Sequence, residues 1–86
     1  MGLRIADNVV SEVLDGQAVI LNLRTGQYFG LNATGTVIWQ LIEEHGDPER
    51  IRAELLGRFD TESDVVDADL RRLIAVLQTK GLVSAT

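Results

Sequence analysis

The chain has 86 residues, 45% of them hydrophobic, with no cysteine and a single histidine. That length supports one domain, residues 1–86, and the inventory excludes a disulfide framework, a thiolate zinc site, a cysteine nucleophile and a multi-histidine metal centre. Thirteen acidic against eight basic side chains give a formal charge of −5, which repels duplex nucleic acid rather than attracting it.

No apolar run reaches the roughly 18 residues of a membrane span, and the N-terminus has neither the basic nor the apolar region of a signal peptide. The expectation is a cytoplasmic protein with no membrane partner. Val9 to Leu14 reads as a strand, and Asp15-Gly16 follows with the two residues that tolerate positive φ in a tight hairpin. Ala18 to Leu23 is a near-continuous apolar run, as in a central strand covered on both faces. Arg24-Thr25-Gly26 makes a second, longer hairpin with Gly26 left-handed, and Gln27 to Leu31 returns as a third strand at one edge of the meander.

Asn32 has the chemistry of a helix N-cap. Thr34, Val37, Ile38, Leu41 and Ile42 recur at helical spacing with Trp39 flanking them, and Gly46 closes that helix. Asp47-Pro48 starts a second helix, which buries Ile51, Leu55 and Leu56 and stops at Gly57. Thr61 with Asp64 approximates a capping box for a last helix from Glu62 to Lys80, closed by Gly81, with Leu82-Val83 packing back. The order β-β-β-α-α-α, strands grouped apart from helices, defines an α+β domain of winged helix-turn-helix-like type: a three-stranded antiparallel sheet followed by three helices.

At 100° per residue, Val66, Leu70, Leu73, Ile74 and Leu77 form the core stripe of the last helix. One flank adds Val65 and Val76 beside Asp69 and Arg72, with Lys80 and Leu73 bridging back to the stripe. The other flank carries Ala68, Ala75, Arg71 and Gln78. Two readings of the apolar flank stand at this point. It widens the core, or it lines a groove whose other wall is the exposed edge strand. An apolar floor rimmed by Asp69, Arg72 and Lys80 suits an extended peptide, which brings alternating side chains and its own backbone groups. The edge segment Tyr28-Phe29-Gly30-Leu31 has none of the lysine, proline or inward charge that usually protects an edge. Gly30 has two readings of its own: it marks a bulge or relieves crowding against the first helix, or it lets another backbone approach.

Nothing in this inventory assembles a catalytic site. Asp67 and Asp69 point to different faces of their helix, so they do not share a proton. His45 sits at a helix C-terminus, where its cationic form complements the dipole. Ser11, Ser63 and Ser84 have no nucleophile setting. No cofactor and no metal are expected.

Taken together, the segments Asp15 to Leu23, Thr25 to Asn32, Thr34-Gly35 with Ile38-Trp39, Leu55 and Phe59, Val66 to Leu70 and Leu77 to Val83 strongly resemble the PqqD-like family. These are the recognition elements for leader peptides of ribosomally made, post-translationally modified peptides. The resemblance spans roughly residues 8 to 83. Ala33 departs from it, since many relatives carry proline after the asparagine, but it touches no proposed contact.

The resemblance implies a non-catalytic peptide chaperone that binds the leader as a fourth strand, antiparallel to the third, in the groove beside the last helix. Carried onto this sequence, the strand wall is Gln27, Tyr28, Phe29, Gly30 and Leu31. The helix wall is the flank read from helical phase: Asp69, Arg72, Leu73, Val76 and Lys80. The implied partners are a precursor leader peptide and a separate modifying enzyme. A free-standing chain looks most like the partners of lasso-peptide leader peptidases; the alternative within the family is the pyrroloquinoline quinone precursor chaperone that serves a radical enzyme. A winged-helix transcription regulator is the rival from another class. Its recognition helix would set Glu62, Asp64, Asp67 and Asp69 against Arg71, Arg72 and Lys80, a poor phosphate-binding surface. A monomer is expected, with strand pairing or swapping through the open edge as its route to a dimer.

Overall fold

The computed structural model describes residues 2–86. Its elements run β1 (Leu3–Ile5), β2 (Val9–Leu14), β3 (Gln17–Asn22), β4 (Tyr28–Gly30), α1 (Ala33–Glu44), α2 (Pro48–Arg58), α3 (Ser63–Thr79) and β5 (Val83–Ala85). β2, β3 and β4 form an antiparallel meander with β3 in the centre. The expected three strands and three helices are all present, and two short strands join them. β1 pairs antiparallel with β5, Leu3 opposite Ala85 and Ile5 opposite Val83. The segment expected only to pack back, Leu82-Val83, thus leads into a strand, begun by Val83, that pairs with the first one.

The turns follow their local chemistry. Asp15 (φ 53°) and Gly16 (φ 77°) make the tight hairpin between β2 and β3. The β3–β4 loop is organised by Asn22, whose buried Oδ1 accepts from Asn8 Nδ2 at 2.8 Å and from the backbone N–H of Arg24 at 2.9 Å. A polar side chain at an inward strand position is stable there because its acceptor is fully used.

Asn32 caps α1, its Oδ1 accepting from Gly35 N–H at 2.8 Å. The helix lies across the inner face of the meander. Thr36 Oγ1 accepts from Ala18 N–H at 2.7 Å, and Trp39 donates from Nε1 to Ser11 Oγ at 3.1 Å. Trp39, 1% exposed, is in the middle of the core rather than on its flank, whereas Thr34 is exposed. The expected stripe is wrong at those positions because α1 is covered from two sides, by the sheet and by the other helices, which widens and turns its buried face. Gly46 (φ +68°) ends the helix, and a Cβ there would sit 2.8 Å from Leu3 O, so only glycine allows β1 to pass this close.

β3 corrects a second expectation. Ala18, Ile20 and Asn22 face α1 and are buried, but Val19 and Leu21, on the opposite face, are only half-buried. The apolar run does not signal cover on both sides; one face of the sheet lies open.

Asp47 caps α2 through Glu49 N–H at 3.1 Å. The helix runs past Gly57 to Arg58, since Gly57 takes no positive φ and the terminating residue is Phe59, which is extended. α3 begins after Glu62, which makes no side-chain cap, so the Thr61/Asp64 capping box does not form. At its other end Gly81 (φ +73°) allows Leu82 N–H to reach Leu77 O at 2.9 Å, burying Leu82 beneath the helix end. α2 and α3 are joined by the Arg52–Asp67 ion pair, whose hydrogen bond and charge raise the Arg52 pKa above its ordinary value.

Candidate peptide-binding groove

The edge of the meander determines what can reach β4. Leu31 N–H bonds Ala18 O at 2.9 Å and Asn22 N–H bonds Gln27 O at 2.9 Å. With Phe29 opposite Ile20, antiparallel alternation points the Phe29 amide and carbonyl into the sheet. The N–H and C=O of Tyr28 and of Gly30 therefore point out of it, along an open edge. Side chains alternate the other way. Phe29 and Leu31 face inward toward the helices, half-buried and buried respectively. Tyr28 stands on the outer face, in line with Leu21, and is 71% exposed.

Across from this edge runs α3. Val66, Leu70 and Leu77 are buried and Leu73 and Ile74 half-buried, which docks the helix through the expected stripe. Val65 (47%) and Val76 (36%) remain exposed. Their flank does not widen the core; it forms part of a surface. Between that flank and β4 lies a groove of about 380 Å³, walled by Phe29, Gly30 and Leu31 on one side and by Asp69, Arg72, Leu73 and Val76 on the other. Arg72 and Asp69 approach to 3.7 Å at its rim, both well solvated, so the pair holds little energy and both charges are available to a ligand.

Of the residues proposed from the sequence, those seven line this groove. Gln27 and Lys80 do not; they line an adjoining hollow of about 360 Å³ at the β4 start, together with Tyr28 and Phe29. Lys80 Nζ lies 5.0 Å from the centroid of the Phe29 ring, a cation–π contact that bridges the two walls at this end. Tyr28 offers the groove its backbone, while its ring lies on the other face of the sheet.

The first turns of α1 supply residues the sequence reading did not assign to the site. Asn32, Thr34, Gly35 and Ile38 line the groove as well. Thr34 had the spacing of a core residue, yet α1 starts directly after β4, so its first turns lie beside the edge; Ile38 is buried as expected and contributes to the groove wall as well. From there the groove continues, through Thr34, Ile38 and Asp69, into a second hollow of about 280 Å³ that reaches Phe59 and Val65 at the α2–α3 turn.

Gly30 gains a clearer meaning. The β3–β4 register is unbroken from Val19 opposite Gly30 to Leu21 opposite Tyr28, so there is no bulge. A Cβ at Gly30 would meet nothing within 4 Å, and its φ is not positive. Neither bulge nor crowding within the chain explains the glycine.

An open edge facing an apolar helix flank defines the class: an α+β, winged-helix-like domain with a groove shaped for an extended chain. The chain belongs to the PqqD family, whose model, described as Coenzyme PQQ synthesis protein D, matches residues 17–83. It is similar to the solved structure of TbiB1 in complex with the TbiA(beta) leader peptide, at 38% identity over 96% of each chain with a TM-score of 0.90. It also shares the fold of lasso peptide synthetase B1 complexed with the leader peptide, at 22% identity, 99% and 100% coverage and a TM-score of 0.87. None of the curated protein sequences matches it.

Proposed function

We propose that this protein is a non-catalytic chaperone that binds the leader of a ribosomally made precursor peptide and presents it to a separate modifying enzyme, a lasso-peptide leader peptidase. The observation that carries the reading is the groove itself. The outward N–H and C=O groups of Tyr28 and Gly30 stand opposite an α3 flank whose Val76 is left exposed, beside Leu73. The leader would pair with β4, antiparallel to it, sending alternate side chains into the groove. TbiB1, 38% identical, is a leader-peptide complex, which supports this occupant.

Backbone pairing supplies affinity without much sequence choice, at about 0.5–1.5 kcal/mol per net hydrogen bond. Selection then comes from leader side chains that fill the space beside Leu73 and Val76, with Asp69, Arg72 and Lys80 sorting their charge. Holding the leader raises the local concentration of the attached core peptide at the enzyme, which is how a protein without chemistry of its own accelerates another's.

Amide exchange tests the pairing directly. A synthetic peptide covering the leader of a precursor from the same genome is added to isotopically labelled protein. The amides of Tyr28 and Gly30 should slow at least about tenfold on binding, whereas Phe29, already bonded to β3, should change little. Slowing confined to other elements would exclude strand addition at β4.

A further inference from the structure

The outer face of the meander is open and apolar. Register places Val10, Leu21 and Tyr28 in one row, Glu12, Val19 and Gly30 in the next, and Leu14 and Gln17 at the hairpin. Val10 is 49%, Leu14 55% and Tyr28 71% exposed, and these residues line a shallow hollow of about 520 Å³ with Val19 and Leu21. Glu12 is the one ionic side chain among those strand positions. No other described element covers this surface: α1 packs on the inner face, through Thr36 to Ala18 and Trp39 to Ser11. Clustered apolar and aromatic exposure with few charges is the composition of a recognition patch.

We infer that this face docks the separate enzyme that acts on the precursor, and that it does so as a surface shared with the bound leader. The inference rests on the leader-binding reading above. A strand added to β4 extends the sheet, and the half of its side chains that do not enter the groove emerge on this same face, next to Tyr28. An enzyme seated here touches carrier and leader together and so distinguishes a loaded carrier from an empty one.

Size favours an occupant that also touches the bound leader. Three strands about 4.8 Å apart, up to six residues long at about 3.3 Å each, make a face of roughly 300 Å². A stable interface of standard size, with an enzyme or with a second copy, takes about 800 Å² per partner. The patch is therefore incomplete alone and grows by a strand's width when the leader is present. Charge defines the partner's chemistry: Glu12 lies within the face and Asp15 at its hairpin end, on a chain of formal charge −5, so the matching patch is apolar with a basic rim.

The test uses the full chain, a fluorescent peptide covering the leader, and the leader-removing enzyme that acts on the same precursor. The double variant Val10→Lys, Leu14→Lys should keep leader affinity within about twofold of the parent. Its leader-loaded form should lose at least about tenfold in affinity for the enzyme, and loaded parent should bind that enzyme at least about tenfold tighter than empty parent. Leu14→Lys alone, on the strand farthest from the leader edge, should show the same split at smaller size and removes no buried group. Unchanged enzyme affinity in the double variant overturns the inference. So does a parallel loss of leader affinity, which would make the face part of the leader's own site. Failure of the leader reading registers elsewhere, as leader binding that survives Val76→Asp.

Discussion

Val76→Asp is the substitution that weighs the groove most directly. Val76 is 36% exposed in the free protein and lines the groove opposite β4. Fully burying a valine-sized side chain is worth about 1.5–3 kcal/mol, so covering the remaining third on binding contributes about 0.5–1 kcal/mol. The aspartate loses that and adds the cost of drying a carboxylate, about 1–3 kcal/mol, offset in part by pairing with Arg72 and Lys80, four residues before and after it on the helix, at about 0.2–0.5 kcal/mol a pair. Asp69 lies on the same wall of the groove and offers no compensation.

The combined loss is about 1–4 kcal/mol, or roughly 5- to 1,000-fold in leader affinity. The fold should pay far less. Valine and aspartate have similar helix propensities, and an acid near the end of α3 opposes the helix dipole by about 0.3–1 kcal/mol. Ala75→Asp controls for that, because Ala75 is exposed on the same helix turn and lines neither the groove nor its adjoining hollows. Fluorescence anisotropy of a labelled leader, with thermal unfolding of each variant, reads both effects. Equal losses of affinity at Ala75 and Val76 would refute the groove assignment.

Two further substitutions separate folding from binding. Gly30→Val should leave the thermal midpoint unchanged or raised, since the new side chain meets nothing and valine favours a strand; its side chain emerges on the outer face beside Val19 and not in the groove, so leader affinity should stay within about twofold, and a several-fold fall would show that the bound chain packs against Gly30 on that face. Gly46→Ala should cost about 2–4 kcal/mol and lower the midpoint by at least about 10 °C, because it combines a left-handed φ with a 2.8 Å approach to Leu3 O. Gly16→Ala is its comparison: φ is +77° but a Cβ there meets nothing within 4 Å, so it should cost only about 1–2 kcal/mol in calorimetry.

Much of this architecture is legible where a local rule settles the matter. Asp15-Gly16 and Gly26 place the hairpins, Asn32 the cap of α1, and Gly81 the end of α3, each through a backbone requirement that few residues satisfy. Helical phase on α3 also separates Val65 and Val76 from the buried Val66, Leu70 and Leu77, because the period of a single helix needs no partner to be read. What fails is whatever depends on a distant partner. β1 and β5 are three residues each and form against one another across almost the whole chain, so neither has a pattern long enough to recognise. Thr34 carries core spacing but is exposed in the groove, because the position of β4, and not the helix period, decides what lies beside the first turn of α1; Ile38 is buried as its spacing implies and still reaches the groove wall. Val19 and Leu21 look doubly buried for the same reason. An apolar residue awaiting an intermolecular contact is written like one that is already covered.

The short edge also limits what can bind without the groove. β4 presents the N–H and C=O of Tyr28 and Gly30, and four such bonds are worth about 2–6 kcal/mol net. Immobilising a partner costs about 4–15 kcal/mol. Backbone pairing alone therefore does not hold a second chain firmly, whether a stray strand or another copy of β4. A partner must also fill the space along Leu73 and Val76, and only a chain that pairs in the right register places its alternate side chains there. The three-residue edge thus makes each wall depend on the other. Pairing sets the register that aims the anchors, the anchors supply the energy that pairing lacks, and an edge with no lysine or proline stays selective because it is too short to act alone.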